Sequence, residues 1–190
     1  MEKLRVGFAL CGSFCTFDEV MPVIQKLVEE GYDVTPIMSE FARATDTRFG
    51  KADDFARQLE MLTDNKLIDT IVAAEPVGPK KLFDVLVVAP CTGNTLAKMT
   101  TGVTDTCVTM AAKSHLRNQK PLLLAVSTND ALGNTAKNIG ALLNYKNVYF
   151  VPMKQDNPLG KPRSVVAEFA QLPQAVEQAL QHRQIQPIYR

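Results

Sequence analysis

The chain is short of the groups that most often move protons or hold metals: it has two histidines and four cysteines among 190 residues. So few histidines leave few acid–base candidates near neutral pH. His115 falls near the end of an expected helix, just ahead of Arg117 and Lys120, where a polar ring suits the helix C-terminus. His182 falls on a polar terminal helix and reads as solvated. The cysteines are Cys11, Cys15, Cys91 and Cys107; their spacing fits no zinc site and no histidine stands close by in sequence. Free thiols and no metal are expected. No apolar run is long enough for a membrane span. The opening MEKLRVGFALCGSFC lacks a small-residue cleavage site after a long apolar core, so it reads as a first strand, and a cytoplasmic protein is expected. Charge of one sign is missing too. With 21 basic and 20 acidic residues, nothing points to a nucleic acid or an acidic membrane.

Glycine is sparse where nucleotide loops need it. Gly7 and Gly12 have Walker A spacing, but Ser13-Phe14 stands where the phosphate-binding Lys-Ser/Thr pair would be. A dinucleotide fingerprint needs three glycines, and only Gly12 is present. Glu40, near the end of the second expected strand, stands where a ribose-binding acid could lie, but one acid does not restore that motif. A single phosphate asks for less. Gly12 allows close backbone approach, Ser13 and Ser39 offer hydroxyls, and a helix beginning near Phe17 offers N–H groups.

What the chain does have is apolar content, at 46%, and a regular alternation of elements. Strands are expected over residues 4–10, 33–38, 70–74, 84–89, 121–126 and 148–151. Helices are expected over 17–30, 53–62, 104–117, 131–143 and 165–182, with a further one after Thr95. Residues 43–51 are polar and without a clear period. This pattern predicts an α/β, three-layer Rossmann-like fold with a six-stranded parallel sheet, in one domain over residues 1–190. The ligand crevice should lie at the ends of the first and fourth of those strands.

The most informative stretch is DVLVVAPCTGNTLAKMTTGVTD, residues 84–105. A strand buried on both faces runs into Pro90-Cys91-Thr92-Gly93-Asn94-Thr95, and Leu96, Ala97 and Met99 then resume helical spacing. Such a turn is either a plain strand–helix connection with Thr92 or Asn94 as the cap, or a ligand site built on the helix N-terminus. Ser127 and Asn129 close the next expected strand, where Asn129 or Asp130 could equally be a cap.

Pro90 to Lys98 resembles the Pro-Ala-Ser-Ala-Asn-Thr-hydrophobic-Ala-Lys signature of the flavoprotein family that includes peptidyl-cysteine decarboxylases and flavin prenyltransferases. Gly102-Val103-Thr104-Asp105 resembles the Gly-x-x-Asp that follows it there. The starting LCGSFCTF and the segment STNDALGNTAKNIG extend the likeness over nearly the whole chain.

The resemblance implies FMN, with its phosphate near Gly12, Ser13 and Ser39 and its ring near Pro90, Cys91, Thr92, Gly93, Asn94 and Thr95, flanked by Phe14, Ser127 and Asn129. It implies a homo-oligomer built on trimers. In the branch this chain most resembles, the protein works with a second subunit on a dihydropyridine dicarboxylate in the sporulating mother cell, and NADP or NAD belongs on that partner. Asn94 and Cys91 are the candidate catalytic residues.

A catalytic histidine of the decarboxylases, placed between the second strand and the central motif, has no counterpart here, and the Pro-x-Met-Asn motif survives only as Asn129. Prenyl transfer, decarboxylation and a non-catalytic scaffold are therefore the alternatives to a redox subunit. Residues 152–163, PMKQDNPLGKPR, resemble the substrate clamp of related flavoproteins, with Gly160 and Arg163 left of its Gly-x-Gly-Arg. Lys154, Lys161 and Arg163 would there meet a dicarboxylate.

Overall fold

The computed structural model describes residues 3–190. Its centre is three parallel strands, β1 (Arg5–Leu10), β2 (Asp33–Met38) and β3 (Val85–Cys91). They continue on one side into β4 (Leu122–Thr128) and β5 (Val148–Phe150). Every residue of β3 is buried, as a strand covered on both faces requires. Alternate side chains serve opposite layers. Val6, Phe8 and Leu10 pack with α1 (Phe17–Glu29), α3 (Ala52–Thr63) and α8 (Leu172–Leu180). Ala9, Leu86 and Val88 pack with α5 (Gly93–Thr101), α6 (Cys107–Arg117) and α7 (Ala136–Leu143). Two short helices complete the set, α2 (Glu40–Arg43) and α4 (Ile71–Ala74).

Among the described residues the sheet has seven strands rather than the six expected. The two additions are β6 (Met153–Lys154) and β7 (Val165–Ala167), which pair antiparallel with each other. β7 also pairs antiparallel with Ser127 and Thr128 of β4, above the level at which β5 pairs with Leu122, Leu123 and Leu124. One edge of β4 thus serves two neighbours in succession. The hairpin between β6 and β7 brings residues 155–163 beside the strand ends.

Other expectations shift for local reasons. Residues 70–74 form no strand: the Thr70 hydroxyl accepts from the Ala73 N–H at 3.2 Å and starts α4 instead. The helix expected over 165–182 begins only at Leu172, because Val165, Val166 and Ala167 are needed at the sheet edge. The helix expected from 131 begins at Ala136, after a series of turns. β3 runs through Pro90 to Cys91, and its register against β4 shifts between Val88 and Cys91. Proline has no N–H to give a ladder, so a shift at that point keeps the strand paired around it.

His115 lies inside, on α6, with its Nε2 3.0 Å from the Pro121 carbonyl oxygen. A carbonyl only accepts, so Nε2 carries the hydrogen. Burial pushes the imidazole down to about 4, against the smaller upward pull of that hydrogen bond. An unfolded histidine protonates near 6.5. Stability from this group is therefore full above that pH and is lost as pH falls toward the folded value. We expect a loss of about 2 kcal/mol from this group by pH 5, from the spacing of the two values. Urea melts at pH 7 and pH 5 should show His115→Gln losing less stability over that interval than the native chain; equal losses would contradict it.

Candidate cofactor-binding site

Because β1, β3 and β4 run parallel, all three end at one edge, and the turns that follow them meet there. The Cys11 N–H donates to the Pro90 carbonyl at 3.2 Å, and the Ser39 N–H donates to the Leu10 carbonyl at 3.0 Å. The Ser13 and Ser127 hydroxyls are hydrogen-bonded to each other at 2.7 Å. Thr92 caps α5, its Oγ1 accepting from the Thr95 N–H at 3.3 Å. The Thr95 hydroxyl in turn donates to Cys11 Sγ at 3.3 Å. Residues far apart in sequence are thus tied into one polar rim.

Two adjoining hollows open on this rim and share Gly12 and Thr92. The larger, about 810 Å³, is lined by Ser13, Phe14, Ser127, Asn129 and Asp130, with Arg48, Phe49, Lys161 and Ser164 at its outer wall. The smaller, about 470 Å³, is lined by Cys11, Ser39, Phe41, Asn94, Thr95, Lys98 and Thr106. Gly12 divides them. A Cβ there would come 2.9 Å from the Phe41 ring, so the bare backbone lets that ring lie across the divide. Phe41 itself is 64% exposed.

Apart from Glu19, which lines the larger hollow without a hydrogen-bond or ion-pair partner among the described residues, the carboxylates at this end of the sheet are spoken for. Asp130 Oδ1 accepts from the Thr128 hydroxyl at 2.7 Å and from the Thr135 hydroxyl at 2.8 Å. The Thr128 hydroxyl first, and the Thr135 hydroxyl with it, hold this acid below the usual carboxylate range. Asp130 is therefore not the plain cap of α7. Lys98 pairs with Asp105 at 2.8 Å, which joins the two halves of the central motif, and Gly102 between them closes α5 at φ +73°. Glu40, which the sequence placed near a ribose, instead caps α6: its Oε1 accepts from the Cys107 N–H at 2.7 Å. Its Oε2 is buried without a partner among the described residues.

The buried thiols are inert at neutral pH. Burial raises Cys11 to about 11, against a lowering by the Thr95 hydroxyl, and raises Cys91 and Cys107 well above the usual thiol range. Cys15 is exposed at the mouth of the larger hollow.

Of the residues singled out from the sequence, Gly12, Ser13, Phe14, Thr92, Ser127 and Asn129 line the larger hollow. Ser39, Asn94 and Thr95 line the smaller one, together with Gly12 and Thr92. Pro90 and Cys91 are buried in β3 and line neither. Gly93 lies beneath the rim, against Thr128, Asp130 and Thr135. Of the three cations of residues 152–163, Lys161 lines the larger hollow, 3.3 Å from Asp156. Lys154 pairs with Glu168 at 3.1 Å, and Arg163 lies beside Gly133; neither lines a hollow at the strand ends. Sequence reasoning passed over Phe41, Arg48 and Phe49. Their region has no period, and the one available signal was two aromatic rings in an otherwise polar stretch.

The chain belongs to the Flavoprotein family, whose profile matches residues 1–177. It is 47% identical over 188 residues to the B subunit of dipicolinate synthase from Bacillus subtilis (strain 168), a match covering 99% of this chain and 94% of that protein. The crystal structure of the corresponding B subunit from Bacillus halodurans superposes with a TM-score of 0.90 at 44% identity, covering 100% of this chain and 98% of that one. The FMN complex of Burkholderia xenovorans DmrB, a cubic protein cage for redox transfer, shares the fold, with a TM-score of 0.68 at 16% identity over 94% of this chain and 96% of that one.

Gly93 is the point at which the rim tolerates least. A Cβ there would lie 2.7 Å from Thr135 Oγ1 and 2.9 Å from both Asp130 Oδ1 and Thr128 Oγ1. Gly93→Ala is expected to cost about 1–3 kcal/mol, the scale of overpacking a close contact. A denaturant melt reads it, and an unchanged midpoint would contradict the described packing.

Proposed function

We propose that this protein is the FMN-carrying B subunit of a dipicolinate synthase, acting with the A subunit of that enzyme to oxidise dihydrodipicolinate to dipicolinate in the cytoplasm of a sporulating cell. The observation that carries the reading is the adjacency of the two hollows, which share Gly12 and Thr92 in their walls. The smaller hollow is mostly apolar in its lining but carries the hydroxyl and amide groups of Ser39, Thr92, Asn94 and Thr95, and the larger is more evenly polar and apolar. Their sizes suit a ligand with a phosphate at one end and a flat ring at the other.

This reading departs from the sequence expectation by moving Ser13 from the phosphate to the ring and Thr92, Asn94 and Thr95 from the ring to the phosphate: Ser39, Thr92, Asn94 and Thr95 hold the phosphate, beside the first turn of α5, which contains no acid. Ser13, Phe14, Ser127 and Asn129 surround the ring. The chemistry FMN supplies when bound is two-electron acceptance from a dihydropyridine. The protein's own residues bind, orient and exclude water. No histidine lines either hollow, and the buried thiols Cys11, Cys91 and Cys107 keep their protons, which speaks against the histidine-dependent decarboxylation of the family and against a thiolate from these three. NADP or NAD is assigned to the A subunit. A homo-oligomer built on trimers is carried over from the family resemblance alone.

Asn94→Asp separates this site from its scaffold. Asn94 is exposed at the second position of α5, where an acid favours the helix. The variant should melt no lower than the native chain, yet bind FMN about tenfold more weakly through like-charge repulsion. Flavin fluorescence titration measures the affinity. Equal FMN affinity in the two proteins would remove the phosphate from the smaller hollow.

A further inference from the structure

The loop between α2 and α3 carries two side chains outside the set assigned to FMN above. It is turned by two backbone hydrogen bonds between Thr47 and Gly50, at 3.0 and 3.1 Å. It is pinned at its base by Asp46, whose Oδ1 accepts from the Ala52 N–H at 2.9 Å, and at its tip by Thr47 Oγ1, which accepts from the Phe49 N–H at 3.2 Å. The loop therefore has a definite shape, and the two side chains at its tip, Arg48 and Phe49, reach the wall of the larger hollow. The guanidinium carbon of Arg48 lies 4.9 Å from the centroid of the Phe49 ring.

Two observations set this pair apart. Among the described residues Arg48 has no carboxylate partner, whereas the other cation of the same hollow, Lys161, is already paired with Asp156. Phe49 remains 39% exposed and lines the same hollow. A guanidinium offers two parallel donors to a carboxylate, and a ring beside it offers a surface for a flat π-system.

We propose that Arg48 and Phe49 form a clamp for a planar ring bearing carboxylates, a pyridine or dihydropyridine dicarboxylate, at the mouth of the larger hollow. The assignment rests on the reading that this hollow takes the ring end of FMN, since the substrate must reach that ring. Arg48 could pair with either of two anions, a carboxylate or the FMN phosphate. It lines only the larger hollow, away from Ser39, Asn94 and Thr95, which favours the carboxylate.

The test is calorimetric titration of the full chain with pyridine-2,6-dicarboxylate and with the uncharged pyridine-2,6-dicarboxamide. It is run with and without saturating FMN, on the native protein and on Arg48→Gln and Phe49→Ala, with FMN affinity measured separately on each. The expected result is dicarboxylate binding that Arg48→Gln weakens by about tenfold or more, the loss of a charge-assisted pair. Phe49→Ala should weaken dicarboxylate and dicarboxamide alike, and FMN affinity should be unchanged in both variants. Dicarboxylate affinity indifferent to Arg48→Gln, no dicarboxylate binding at millimolar concentration, or a loss of FMN affinity equal to the loss for dicarboxylate would each overturn the proposal. A native chain that binds dicarboxylate through Arg48 but does not bind FMN would support the clamp while removing the cofactor reading.

Discussion

The structure depends on how a parallel sheet ends. Strands that run the same way stop at the same edge, and buried strand ends leave polar backbone groups that water does not reach. Here the turns supply one another's partners. Cys11 gives its N–H to Pro90, Ser39 gives its N–H to Leu10, and the hydroxyls of Ser13 and Ser127 bond across the gap between β1 and β4. Thr95 reaches back to the Cys11 sulfur. A rim closed in this way is rigid without being filled, which a ligand site needs. The antiparallel β6–β7 hairpin extends the same logic. It covers the upper edge of β4 and sets Ser164 and Val165 against the larger hollow.

Charge at this edge follows from the same economy. Glu40 is spent on the N-terminus of α6, Asp130 on two threonine hydroxyls beneath Gly93, and Asp105 on Lys98. The smaller hollow is left with the hydroxyl and amide groups of Ser39, Thr92, Asn94 and Thr95, the Lys98 ammonium and an acid-free helix turn, a lining without a carboxylate that suits an anion. Buried thiols above the usual range and the distance of both histidines leave the site without a strong base. Its own contribution to chemistry is to hold and orient.

The sequence showed the architecture well where one physical signal dominated. The unbroken apolar runs of β1, β3 and β4 marked strands covered on both faces, and the small-residue turns after them marked the edge where the two hollows open. It misled where two signals competed. Thr70 with Ile71 and Val72 has strand-forming residues, but the Thr70 cap won. Val165, Val166 and Ala167 fit a helix, but the open edge of β4 claimed them. Many of the residues that line the two hollows were legible as a set, but not their division into two compartments. Nothing in the sequence says that Ser13 turns toward Ser127 while Ser39 faces the other side of Gly12. Arg48 and Phe49 were invisible for a related reason: they matter through a hairpin bridge that joins Thr47 to Gly50 and that no period announces.

The most direct test of a flavin seated across the Gly12–Thr92 divide is a crystal structure of the full chain with FMN. The phosphate is predicted within hydrogen-bonding distance of Ser39, Asn94 or Thr95, and the ring in the larger hollow beside Ser13 and Ser127. A phosphate seated on Arg48 and Lys161, or a flavin bound away from that divide, would contradict it.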